Sequence, residues 1–126
     1  MPTVLLVDND PLQAYVCKSV LERRFRDVQR VADAAEALCL VEQPQFARNL
    51  GLVVSDLSMP GIGNIALVAE LQDRLPGVPV LVLGSRGETR GDYGHAWIKF
   101  LSRPFAGDQM LAAADELMAR RALPAA

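Results

Sequence analysis

The sequence predicts an α/β fold in which five strands form one parallel sheet with helices on both faces. Short, β-branched-rich apolar runs alternate five times with longer segments whose apolar residues recur at helical spacing. The strand runs are continuous rather than alternating, as in strands buried on both faces, and strand–helix alternation builds right-handed βαβ units. The length of 126 residues suits one such domain and is enough to bury a core without disulfides or metal. The domain is placed at 1–122, with a tail or shortened linker at 123–126. No internal repeat, low-complexity tract or heptad series is visible.

Val4-Leu5-Leu6-Val7 is the first strand. Asp10-Pro11 opens a helix, a cap residue followed by proline at the first helical position. Leu12, Tyr15, Val16, Val20 and Leu21 follow at helical spacing to about Phe25. Val28 and Val31 make a weak second strand. Asp33-Ala34-Ala35-Glu36 has the form of a capping box and opens a second helix with Ala37, Leu38, Leu40 and Val41, which Pro44 ends or kinks. Leu52-Val53-Val54 is the third strand, ending at Ser55-Asp56. A Pro/Gly-rich loop follows, then a helix over 64–75 and the most apolar strand at 78–83. Gly84, Gly87, Gly91 and Gly94 make the next segment a poor helix, at about 1 kcal/mol each relative to alanine. A fifth strand at 98–101 and a helix from Gly107-Asp108 to about Arg121 complete the pattern.

Fifteen acidic and thirteen basic side chains leave a net charge of −2. That excludes the basic footprint of stand-alone nucleic-acid binding, so no direct nucleic-acid contact is expected. The longest uncharged run, 57–69, is broken by Pro and Gly and falls short of the roughly 20 apolar residues that span a bilayer, so no membrane association is expected. The first apolar run lacks a basic flank and ends in an acid, unlike a signal peptide. Cys17 and Cys39 lie far apart with no Cys-x-x-Cys, pointing to a reduced, cytoplasmic protein with two small buried thiols.

In parallel sheets, ligands and chemistry lie at the carboxyl ends of the strands. There the sequence places Asp8, Asn9 and Asp10, then Asp56, then Gly84 and Ser85, then Ser102, Arg103 and Pro104. Clustered acids repel one another, and a hard cation such as Mg²⁺ relieves them. With a metal in place, Asp56 can act as a carboxylate nucleophile toward a phosphoryl group whose oxygens Arg103 neutralises.

Four stretches in order, 4–10, 56–61, 79–85 and 100–105, resemble the receiver domain of two-component response regulators. The resemblance spans essentially the whole chain. It implies a flavodoxin-like, receiver-like (βα)5 fold with five parallel strands and five helices. It also implies that Asp56 is the phosphoacceptor, supplied by a histidine kinase or a phosphotransfer protein. Asp8, the Asn9 side chain, Asp56 and the Ser58 backbone carbonyl would surround Mg²⁺, and the peptide before Pro104 would be cis. In the family, the helix after the fourth strand, the fifth strand and the last helix form the output and homodimer face. That face passes the signal to an output domain or effector protein.

This chain departs from the family pattern at four places. Asn9 replaces the second acid, removing one formal charge and implying a weaker Mg²⁺ site. Asp10 is read as the helix cap rather than as a replacement acid. Gly84 stands where the family has a hydroxyl, and Ser85 reaches the site only if the backbone turns, which Gly84 permits. Arg103 stands where the family has lysine. Its planar fork either holds the phosphoryl group or pairs bidentately with Asp56 and blocks it. Lys99 is about 13 Å away along the strand and is a poor substitute. Phe100 occupies the aromatic switch position, often tyrosine in the family, so the hydroxyl coupling between strands four and five is absent at both ends. Two readings follow: a phosphoacceptor, or a degenerate receiver acting as a phosphorylation-independent interaction module.

Rival motifs are weaker. Residues 61–66 fit G-x-G-x-x-A, but Pro60 and loop separate them from the strand and no acid ends the next strand, so they read as a turn and helix cap. His95 is the lone histidine and no Ser-His or Cys-His pairing exists, so the chain is not expected to be an enzyme. Arg23, Arg24, Arg26 and Arg30 read as charge favourable to a helix end and a solvated loop rather than as a docking patch. Tyr93 and Trp97 either anchor a partner or pack over the glycine-rich segment.

Overall fold

The computed structural model describes residues 2–56, 64–84, 98–103 and 105–122. Its elements run β1 (Thr3–Val7), α1 (Pro11–Leu21), β2 (Asp27–Val31), α2 (Ala34–Val41), α3 (Pro44–Asn49), β3 (Leu50–Asp56), α4 (Asn64–Arg74), β4 (Val80–Gly84), β5 (Ile98–Ser102) and α5 (Gly107–Ala122). The strands form one sheet in the order β2-β1-β3-β4-β5, and every neighbouring pair is parallel. The chain moves outward from β1 to β2, then returns past β1 to β3. The order therefore reverses between β1 and β3, and a crevice opens outside their carboxyl ends.

Alternation along the strands sorts their side chains into two cores. Val4, Leu6, Leu52, Val54, Leu81 and Leu83 pack with Ala14, Cys17 and Leu21 of α1 and with Met110, Ala113, Ala114 and Leu117 of α5. Leu5, Val7, Val53, Val80 and Val82 pack with Ala34, Ala37 and Val41 of α2 and with Leu67, Val68 and Leu71 of α4. The central strands β1, β3 and β4 are buried along their whole length, as their continuous apolar runs require.

The element order matches the expected one, with informative differences. Pro44 is a start as well as a stop: α2 ends at Val41, and Pro44 occupies the first turn of the short helix α3, which the sequence reading did not anticipate. β3 begins two residues earlier than expected, at Leu50. β2 is a full five-residue edge strand paired with β1 throughout. α1 does not bury Leu12, Tyr15 and Val16, which stand 74%, 72% and 54% exposed. Its buried stripe is Ala14, Cys17 and Leu21, whose two small members let the helix lie close to the sheet. Cys39, expected to be buried, is exposed on α2, while Cys17 is buried. The glycine-rich segment, His95, Tyr93 and Trp97 lie outside the described residues.

Candidate functional site at the β1–β3 crevice

Asp8 follows β1 with both main-chain groups tied to β2. Its N–H donates to the Val31 carbonyl at 3.1 Å, and its carbonyl accepts from Arg30 Nε at 3.0 Å and Nη2 at 2.8 Å. By alternation the Asp8 side chain follows Val4 and Leu6 onto the α1–α5 face of the sheet. It is fully buried. Oδ1 accepts the Asp10 N–H at 2.9 Å, and among the described residues Oδ2 has no hydrogen-bond partner. Such an oxygen is costly to bury and suits a cation.

Asp10 has other work. Its extended backbone caps α1, and Oδ1 accepts the N–H groups of Leu12 at 2.9 Å and Gln13 at 3.1 Å. This is the helix cap expected from Asp10-Pro11. Asn9, between the two acids, is exposed.

Asp56 ends β3 with the same alternation as Leu52 and Val54, so it shares a face with Asp8, and it is 4% exposed. Arg103 follows Leu101 by two residues and reaches the same face from beyond β5. Its main chain is fixed by an N–H bond to the Gly84 carbonyl at 2.7 Å. Its Nη1 lies 3.7 Å from Asp56 Oδ1. That exceeds the ~2.8 Å of a charge-assisted hydrogen bond. The other terminal nitrogen, Nη2, is buried without a hydrogen-bond partner among the described residues. The two terminal nitrogens therefore do not close a fork on the carboxylate, and the bidentate block is not formed.

Burial pushes the Asp8 carboxyl above its ordinary value, and the charges of Asp56 and Asp10 add to this. The Asp10 N–H and the Arg103 charge oppose it without cancelling it. Two buried carboxylates that interact across a crevice are donors that a hard cation could take. Among the described residues no three His, Cys, Asp or Glu side chains gather around one point. Mg²⁺ does not require that, since it commonly takes one or two carboxylates and completes its octahedron with water and phosphate oxygens. Asp8 and Asp56 fit that donor set.

Three neighbours of the site were not singled out for it in the sequence reading. Arg30 clasps the Asp8 carbonyl. Cys17 lies close enough to feel the site's charges: burial raises its thiol, Asp8 and Asp56 add to the rise, and Arg103 opposes it. Phe105 places its ring centroid 5.8 Å from the Arg103 Cζ. Spacing held a signal for Cys17, which is seven residues after the Asp10 cap and so lies two turns along the same helix face. Of the arginines after α1, Arg23 pairs with Asp108 at 3.2 Å and Arg24 with Asp115, joining the segment after α1 to α5. Lys99 pairs with Glu116 at 2.8 Å, away from Asp56. Phe100 is half-buried against the α2–α4 core. Ser58, Ser85 and Pro104 lie outside the described residues.

Beside the crevice a groove of about 420 Å³ runs along α1, lined by Leu12, Gln13, Val16, Cys17, Arg103 and Phe105. Arg103 thus belongs to both the groove and the acidic centre.

Comparison with known proteins agrees with this geometry. The family model for the response regulator receiver domain matches residues 4–115. The C4-dicarboxylate transport transcriptional regulatory protein DctD of Rhizobium meliloti is 28% identical over 97% of this chain and 26% of its own length. The DNA-binding dual master transcriptional regulator RpaA of Synechocystis is 28% identical over 95% of this chain and 50% of its own length. This chain therefore spans half or less of these two relatives. A response regulator receiver domain protein from Clostridium thermocellum superposes with a TM-score of 0.85 at 18% identity, covering 96% of this chain and 97% of that one, which shows the shared fold.

Proposed function

Because the chain belongs to the response regulator receiver domain family, we propose that within its two-component signalling role Asp56 is the phosphoacceptor. The observation that carries this is the buried pair Asp8 and Asp56 at the strand-order reversal, with Asp8 Oδ2 lacking a hydrogen-bond partner among the described residues and the Arg103 guanidinium beside Asp56. A carboxylate oxygen of Asp56 attacks phosphorus in line, the bond from phosphorus to the donor nitrogen or oxygen breaks, and an acyl phosphate remains on Asp56. Arg103 supplies positive charge where the phosphoryl oxygens arrive, with Nη1 the nitrogen nearest Asp56. Asp8, Asp56, the Asn9 side-chain oxygen and the Ser58 carbonyl would hold Mg²⁺, which supplies charge neutralisation when bound. The chain acts as an acceptor and signalling module rather than as an enzyme on a separate substrate.

The donor is a histidine kinase or a phosphotransfer protein. Its approach over α1 is supported by the exposed apolar side chains of Leu12, Tyr15 and Val16 beside a groove that ends at Arg103. Output through β5 and α5 to a following domain or effector, and pairing of two copies there, belong to the same reading.

The test is an amide NMR spectrum with and without Mg²⁺ plus beryllofluoride, a phosphoryl mimic. The expected result is shifts around Asp56, Ser85 and Phe100 that vanish in Asp56→Asn. A spectrum unchanged at millimolar Mg²⁺ would sink the phosphoacceptor reading and leave a phosphorylation-independent interaction module.

A further inference from the structure

Arg103 poses a problem that a lysine at this place would not. A guanidinium is a wide planar ion on a flexible stem, and its long contact to Asp56 cannot by itself hold it in one orientation. Its main chain is fixed at Gly84, but the side chain beyond Cβ is not held by that bond. What the planar ion has and an ammonium lacks is a face to lay on an aromatic ring. The Phe105 ring is 5.8 Å from Cζ, within the ~6 Å reach of a cation–π contact. Phe105 is itself anchored, half-buried against the α1–α5 core. Gln13, Val16 and Cys17 line the same groove from the α1 side, where the Cys17 thiol also interacts with the Arg103 side chain. Arg103 accordingly shows only 25% of its side-chain surface, and its Nη2 is buried.

We propose that Phe105 is a positioning residue for Arg103, holding the guanidinium beside Asp56 with Nη1 toward its carboxylate. The consequence for phosphoryl transfer rests on the reading of Asp56 given above, whereas the positioning itself does not. Phe105 touches neither the nucleophile nor the incoming group in this account; it acts through Arg103 alone. This makes the arginine and the aromatic ring a functional pair in this chain.

The test uses the whole chain in two measurements. The first records the Arg103 Nε–Hε and Cζ resonances in arginine-labelled protein. In the wild type they are expected away from the positions of exposed arginines, displaced by the ring current. Phe105→Leu, which keeps apolar bulk but removes the ring face, should collapse them toward the exposed positions, and Phe105→Tyr should retain them. Resonances that stay the same in Phe105→Leu overturn the proposal. This measurement stands even if Asp56 accepts no phosphoryl group.

The second follows phosphorylation by acetyl phosphate in a double-mutant cycle. Phe105→Leu should slow it roughly fivefold, about the rate equivalent of a partly desolvated cation–π contact, and Phe105→Tyr should restore the rate. In an Arg103→Gln background, Phe105→Leu should then change nothing further. Equal slowing in both backgrounds would make Phe105 merely structural and overturn the proposal. A wild type that is not modified at Asp56 would instead fail the phosphoacceptor reading and leave the resonance measurement to decide.

Discussion

Asp8 and Asp10 are two residues apart and carry the same charge, yet their surroundings divide their work. Asp10 satisfies two of the first N–H groups of α1, which have no partner within the helix. Asp10→Ala should cost about 1 kcal/mol in urea unfolding, the usual worth of an N-cap. Titrated Mg²⁺ should still bind that variant with one-to-one stoichiometry. Loss of Mg²⁺ binding with stability intact would make Asp10 the replacement acid instead. The cap was legible in the sequence because Asp-Pro before a helical run is a local signal with a local cause. Asp8, Asp56 and Arg103 were legible as strand-end residues. What could not be read was the manner of the Arg103–Asp56 contact, because a long side chain's direction depends on groove walls from α1 and the β5–α5 connection. Cys17 reads as an ordinary buried thiol, and the contact between Phe105 and Arg103 is not visible in the sequence, for the same reason.

At the scale of the element, α1 shows where periodicity stops informing. Its apolar residues form two stripes, Ala14–Cys17–Leu21 and Leu12–Tyr15–Val16, and both fit a helical repeat. Packing against the sheet and α5 decides between them: Ala14, Cys17 and the large Leu21 face inward, and Leu12, Tyr15 and Val16 are left in solvent. The choice is tertiary, and hydropathy alone points the wrong way. Cys39 on α2 illustrates the same limit, and Pro44 illustrates another, since a proline that ends one helix is equally suited to begin the next. The exposed stripe makes a prediction of its own. Tyr15→Ala should leave the unfolding free energy within about 0.5 kcal/mol, as expected for a side chain 72% exposed. It should slow phosphoryl transfer from a cognate phosphotransfer protein by about tenfold, the scale of an interface anchor, with the rate from acetyl phosphate unchanged. Equal slowing with both donors would place the effect in the chemistry and remove α1 as the docking face.

At the scale of the molecule, the parallel sheet concentrates its least stable chemistry where its order reverses. The buried strands and two apolar cores were readable from continuous β-branched runs, and with them the crevice, because topology alone locates it. Folding draws Asp8 into that crevice, and the whole domain bears the cost. Its carboxyl is raised above the ordinary 3.8, by burial first and then by Asp56 and Asp10, so the folded chain holds this proton more tightly than the unfolded chain. The contribution of that proton to stability is fully present below 3.8 and is lost as pH rises through the raised value. At neutral pH in chelator, Asp8→Asn should therefore be more stable than wild type, by on the order of 1 kcal/mol. Its stability should also fall less steeply with rising pH across the acidic range. Mg²⁺ reverses the ranking by mass action. At a hundred times its dissociation constant it should stabilise the wild type by ~2.7 kcal/mol, while leaving Asp8→Asn nearly unmoved. Urea midpoints of both proteins, in chelator and in Mg²⁺, measure all of this. An Asp8→Asn variant less stable than wild type in chelator at neutral pH would mean that the buried carboxylate stabilises the fold by itself and is not strained in wait of a cation.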